Sequence, residues 1–413
     1  MYDYEDDDED IFGTPPSVSS SVPSIKFKDE LNEDQFRAVT ATDGPALVLA
    51  GAGSGKTRTL TYRVAYLITQ GISPEAILLL TFTNKASKQM LERVEQLTGI
   101  ESRRFLGGTF HHVGGQVLRL FGDTIGLPRN FTILDDGDSD SLLNEIIRDF
   151  DPDFFKSKEN PKAKPIKGLI SYARNILVEV EQVAKGRYPG NVELLSKINS
   201  FALQYQNTKL ERGLADYDDL LVYWLEVLQN NEEAAQYYQE RFSHVLVDEY
   251  QDVNSLQAQI VDKIAANHQI MAVGDDAQCI YTWRGADLDQ IMSFPERHPD
   301  TKIYKIETNY RSSPEILKLA NEILQNRSSE NSYSKILKPS CPHQDLPLVV
   351  PTIDTYQQAD FILSKVQKLY DCGVNYDDIA ILYRSHYHAM ELQVELSRRD
   401  IPFVITSGLR FFE

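Results

Sequence analysis

The chain has 413 residues, 42% of them hydrophobic, and a formal net charge of -19: enough apolar material for two or three packed domains, and a charge that argues against bulk attraction to nucleic acid. No apolar run reaches the roughly 20 residues needed to cross a bilayer, and the acidic first residues, "MYDYEDDDED", are unlike a secretory leader, so the sequence reads as cytoplasmic with no membrane partner. The three cysteines, Cys279, Cys341 and Cys372, are odd in number and far apart, which excludes a disulfide framework, and Cys341-Pro342-His343 lacks the two further ligands of a zinc site.

In chain order, residues 1–28 join the acidic run to "GTPPSVSSSVPS" and read as a disordered tail. The tail carries part of the net charge, so a basic channel is still compatible with the body. "ALVLA" (46–50) and "AILLLTF" (76–82) are nearly continuous apolar runs, as expected of strands covered on both faces in a parallel sheet. A helix follows each: Leu60, Val64, Leu67 and Ile68 recur at helical spacing before Gly71, and Met90, Val94 and Leu97 do the same. Over residues 112–240 helical periodicity replaces the strand signal, as in "SLLNEIIRDF" and "DDLLVYWLEVL". Strands resume with "HVLVDE" (244–249) and "IMAVGD" (270–275). The pattern predicts one α/β domain over residues 29–111 and 241–310, with a helical insertion between. Part of a second α/β domain follows over 311–413, with helices "PEILKLANEIL" and "QADFILSKVQKLY" and strands "LPLVV", "IAILYRS" and "PFVIT".

The chemistry concentrates where strands end. Between the first strand and its helix lies Gly53-Ser54-Gly55-Lys56-Thr57. Such a turn can wrap an anion with backbone N–H groups at a helix N-terminus, with Lys56 for the outer phosphates and Thr57 as a magnesium ligand. The generic phosphate-turn pattern has glycine where this chain has Ala50. "VLVDEYQD" ends a strand in two carboxylates, Asp248 to hold Mg²⁺ and Glu249 to act as general base. In "VGDDAQCIYTWRGA" (273–286), Gln278 can sense a terminal phosphate beside Tyr281 and Trp283, rings able to stack on unpaired bases. The lysines of "FKSKENPKAKPIKG" have no aromatic partners and read as a solvated loop.

These segments, with "LNEDQFRAV", "LLLTFTNKAS", "GTFHHVGGQVLR", "DYDDLL", "TNYRSSPEIL" and "IAILYRS…RDIPFVITSGLRFFE", resemble in order and spacing the superfamily 1 DNA helicases of the UvrD/Rep/PcrA type, from residue 31 to the end. The resemblance implies two RecA-like domains, ATP and Mg²⁺ as cofactors, and 3′→5′ movement on single-stranded DNA and duplex junctions, in repair or replication. In this family Ala50 is the usual residue, and Ala50, Gly51, Ala52 and Gly53 through Arg58 form the nucleotide-binding turn. Gln35 would read the adenine edge and Tyr310 would stack on the base, while Lys56, Thr57, Arg58, Asp248, Glu249, Gln278 and Arg311 would surround the triphosphate and metal. Phe82, Asn84, His111, Tyr281 and Trp283 would line the single-strand path. The family's "TFHS" is "TFHH" here, His112 replacing serine. The resemblance further implies motifs beyond residue 413, including a second arginine finger, so the chain is expected to be a fragment or to be completed by another polypeptide. Two alternatives stay open: a nucleotide-gated single-strand-binding module with little turnover, and an RNA helicase of the same superfamily.

Overall fold

In a computed structural model, residues 25–405 are described, apart from 42–43, 267–268, 283–284 and 328–331. The tail over residues 1–24 thus lies outside the described residues, but its expected last residues are folded. Phe27 opens a short helix, Phe27–Glu30, and sets its ring edge-on against Tyr62 and Tyr66. An aromatic in this otherwise polar stretch finds apolar cover, which the compositional reading of the tail overlooked.

Six parallel strands form the central sheet: β1 Ala46–Ala50, β2 Ile77–Thr81, β3 Leu106–Thr109, β4 His244–Val247, β5 Ile270–Gly274 and β6 Lys302–Ile306, in the spatial order β3-β2-β4-β5-β1-β6. Along β1 and β2 every residue is buried, and alternate side chains serve opposite faces. Leu47, Leu49, Leu78 and Leu80 join one core, whereas Val48, Ile77, Leu79 and Val273 join the other. The two edge strands have weak signals, "LGGT" and "KIYKI", because a strand covered from one side needs no continuous apolar run.

Helices α1 Lys56–Thr69 and α2 Asn84–Thr98 cover the second of these faces. The helical stretch expected over 112–240 divides between two cores. Helices α3 Phe110–Phe121, α4 Tyr217–Asn230 and α5 Glu232–Arg241 belong to the first sheet face through Val113, Val117, Trp224 and Tyr238. Only the helices between them, Asp136–Phe150 to Val192–Glu211, build a separate core around Leu143, Ile166, Ile198 and Phe201. Where that lobe rejoins the sheet, "DYDDLL" supplies Asp216, which caps α4 through its N3 residue Asp219. Both carboxylates take the buried Lys209 ammonium at 2.5 Å, and Arg174 adds a second cation to Asp219.

The chain forms two compact units, one ending at Gln344 and the other beginning at Asp345. In the second, helices Thr355–Asp371 and His386–Arg398 pack through Leu363, Val366, Leu392 and Leu396. The strands expected at "LPLVV", "IAILYRS" and "PFVIT" do not form over the described residues of these runs. None pairs with another strand there, and Val349 and Leu382 are 95% and 94% exposed, so β propensity has neither ladder nor cover to act through.

Candidate active site

The phosphate turn sits at the carboxyl end of β1, with Gly53 and Gly55 in left-handed backbone at φ +71° and +87°. A side chain at Gly53 would also place its Cβ 2.7 Å from Arg311 Cβ and from the Asn309 amide nitrogen. α1 starts immediately afterwards at Lys56, leaving its first N–H groups at the turn. Thr57 Oγ1 donates to Asp248 Oδ2 at 3.2 Å, and Lys56 Nζ lies 3.3 Å from Glu249 Oε2. Glu249 holds a left-handed φ of +48° without being glycine, a conformation its N–H secures by donating to Asp248 Oδ1.

Burial, then the charge of Glu249, pushes the Asp248 carboxyl up to about 6; the same two causes push Asp252 up to about 7. A hydroxyl and a carboxylate are hard oxygen donors of the kind Mg²⁺ prefers, and they fit an ion that takes its remaining ligands from phosphates and water. Among the described residues, no group of three or more histidine, cysteine or acidic side chains forms a metal cluster. His343 of the Cys341-Pro342-His343 cluster instead pairs with Glu315.

Gln35 and Tyr310 flank the turn. Gln35 Nε2 donates to the Ser54 carbonyl at 2.9 Å, while the Tyr310 N–H donates to the Gly53 carbonyl. Asn32 ties the pair together, capping the helix that begins at Glu33 and donating from Nδ2 to Tyr310 Oη at 2.7 Å. Ala50 ends β1, and Ala52 has its carbonyl held by Asn309 Nδ2 at 2.6 Å. Arg58 lies beside the turn, its Cβ 3.6 Å from where a Cβ on Gly55 would fall, while its guanidinium donates to the Glu30 carbonyl and lies over the Tyr62 ring.

Gln278 is joined to the turn through other residues. Its Nε2 donates to Asp275 Oδ2 at 2.7 Å, and the Asp275 N–H donates to Gln251 Oε1 at 2.8 Å. Gln251 Nε2 then donates to Glu249 Oε2 at 2.8 Å, the oxygen facing Lys56. Three residues beyond Gln278, the Tyr281 ring stacks on Phe82 with centroids 5.3 Å apart and an interplanar angle of 29°. His111 lies at the start of α3, edge-on to Tyr217, and Asn84 is exposed at the start of α2. Trp283 lies outside the described residues. Gln251, Asn309 and Asn32 escaped the sequence reading as site residues. Asn32 carried the three-residue spacing to Gln35 of a capping box, while Gln251 and Asn309 lay inside "VLVDEYQD" and "TNYRSSPEIL" without being assigned a role.

A parallel sheet with a phosphate turn at the carboxyl end of β1 and an acidic pair at the carboxyl end of β4, one strand away across β5, defines a RecA-like P-loop nucleotide-binding protein. The chain belongs to the UvrD/REP helicase family: residues 31–299 match the family model described as UvrD/REP helicase N-terminal domain, and residues 304–413 match the UvrD-like helicase C-terminal domain. It is 34% identical over 386 residues to the ATP-dependent DNA helicase PcrA of Staphylococcus epidermidis, a match covering 93% of this chain and 52% of that protein. To the protein of the same name from Staphylococcus aureus it is 33% identical over 387 residues, with the same coverage. The chain thus spans about half the length of the curated relatives it matches. The two family domains meet between residues 299 and 304, whereas the compact units divide at Gln344 and Asp345.

Proposed function

We propose that the chain is the nucleotide-binding portion of an ATP-dependent DNA helicase that moves 3′→5′ on single-stranded DNA and engages duplex junctions. The observation that carries this reading is the path that runs from Lys56 through its ion pair with Glu249 and then by hydrogen bonds through Gln251 and Asp275 to Gln278, three residues before the Tyr281–Phe82 stack. It gives the phosphate turn a mechanical connection to rings suited to unpaired bases.

In this reading Lys56 and Arg311 bind the outer phosphates of ATP, and Gln35 and Tyr310 orient the base. Thr57 and Asp248 would hold Mg²⁺, which neutralises phosphate charge when bound. Glu249 Oε2 is engaged by Lys56 and Gln251, so Oε1 is the oxygen positioned to accept a proton from the attacking water. Gln278 senses the terminal phosphate, and Phe82, Asn84, His111, Tyr281 and Trp283 take the strand. Work in DNA repair or replication and a cytoplasmic setting belong to the same proposal; the three free cysteines support a reducing compartment. Further motifs, from additional chain or a protein partner, complete the motor.

Phosphate release by the chain should require ATP and Mg²⁺ and rise on adding single-stranded DNA. Lys56→Ala removes it, whereas Tyr281→Ala weakens strand binding and leaves nucleotide binding within about twofold. Identical defects in the two variants would break the division of roles, and equal stimulation by RNA would overturn the choice of DNA. A duplex with a 5′ overhang unwound as readily as one with a 3′ overhang would overturn the polarity. One observation favours a second reading, a nucleotide-gated strand-binding module. Arg311 is brought against the turn, and where no second arginine finger joins it the rate is lower by about 10³–10⁵. ATP-dependent strand binding without phosphate release would select it.

A further inference from the structure

Residues 333–339 carry a device that neither the motifs nor the proposed roles include. Lys335 has a side chain only 4% exposed, and its ammonium contacts both Asp275 and Asp276, with Asp276 Oδ1 at 2.5 Å. Asp276 has other support: Arg327 donates to its Oδ2 at 2.8 Å and to its carbonyl at 3.0 Å. For Asp275 the cation is Lys335, on Oδ1, while Oδ2 accepts the Gln278 amide. Two adjacent buried carboxylates are tolerated when each has a cation. Removing the one on Asp275 favours its protonation or rotation, and either change weakens the acceptor that aims Gln278.

The same segment reaches the phosphate turn. Lys338 and Pro339 pair with Thr308 and Asn309, and Asn309 holds the Ala52 carbonyl. Leu337 lies so close that a Cβ on Gly51 would fall 2.3 Å from its Cδ2. One short strap therefore touches the turn at one end and the support of Gln278 at the other.

We infer that Lys335 is a positioning residue that holds Gln278, through Asp275, in the setting where it distinguishes a nucleoside triphosphate from a diphosphate. The inference rests on the proposed role of Gln278, and the test separates the two. Binding of Mg-ADP and of a non-hydrolysable ATP analogue to the full chain is measured by titration calorimetry, giving a triphosphate-to-diphosphate affinity ratio. Lys335→Met should lower that ratio about tenfold, the size expected for a hydrogen bond to a charged group, with ADP affinity within about twofold of the unsubstituted chain. Gln278→Ala should give the same loss, the double variant should lose nothing more, and Lys335→Arg should recover most of the ratio. A purely structural Lys335 would lower stability and both affinities together. Should Lys335→Met not fold, Lys335→Gln, which keeps a donor without the charge, carries the same expectation. An unchanged ratio in the Lys335 variant beside a collapsed one in Gln278→Ala overturns the Lys335 inference alone. An unchanged ratio in Gln278→Ala overturns the phosphate-sensing role and the inference with it.

Discussion

The first compact unit and the second contain apolar runs of similar strength with opposite fates. "AILLLTF" becomes β2, fully buried between β3 and β4, whereas "LPLVV" and "IAILYRS" in the second unit form no ladder over the described residues and leave Val349 and Leu382 in solvent. A strand is a relation between two segments, and branched apolar residues express it only where a neighbour supplies hydrogen bonds and a second layer supplies cover. Helices satisfy their own backbone groups, which is why Thr355–Asp371 and His386–Arg398 form where the strands beside them do not.

That contrast can be broken or sharpened by substitution. The largest effect is expected in the sheet: Leu79→Ala, at a side chain with no exposure, should cost about 4 kcal/mol in denaturant unfolding. Gly53→Ala combines left-handed backbone with a collision at Arg311 and should cost about 3 kcal/mol, together with loss of nucleotide binding.

Asp252→Asn should act in the opposite sense. With its folded-state pKa raised to about 7, well above the unfolded value, Asp252 keeps its proton longer in the fold than in the unfolded chain. The wild-type side chain therefore loses the fold stability as pH climbs from about 4 through 7. The variant should be the more stable by about 2 kcal/mol at pH 8, half the full linkage value because solvent partly screens the site, and indistinguishable at pH 4. A gain that does not vary with pH would show that burial of the charge is not the cause. The smallest effects belong to the second unit: Val349→Ser and Leu382→Ser should each stay within about 0.5 kcal/mol. A loss above about 1 kcal/mol at either would erase the contrast between the units.

Features local in sequence were legible. Gly53 to Thr57 between a strand and a helix, and Asp248-Glu249 at a strand end, declare their geometry within a few residues, and the structure brings them into contact. What depended on distant segments was not. Nothing near Lys335 marks it as the support of Gln278, the "TNYRSS" run does not say that Asn309 holds Ala52, and the carbonyl that takes the Arg58 guanidinium, Glu30, lies 28 residues away. The helical stretch was legible as helix but not in its division, because α3, α4 and the lobe between them share one periodicity while facing different cores.

The Phe82–Tyr281 stack gives the proposed strand path an occupant of its own. Aromatic pairs are worth about 0.5–1.5 kcal/mol and a base on an aromatic ring about 1–3 kcal/mol, so an arriving base prevails, but only by displacing a competitor already in place. A bare sugar-phosphate polymer brings nothing to set against that ring pair and should leave it closed. The path would then sieve for bases before it responds to backbone charge, a filter suited to a chain whose overall charge already repels phosphate.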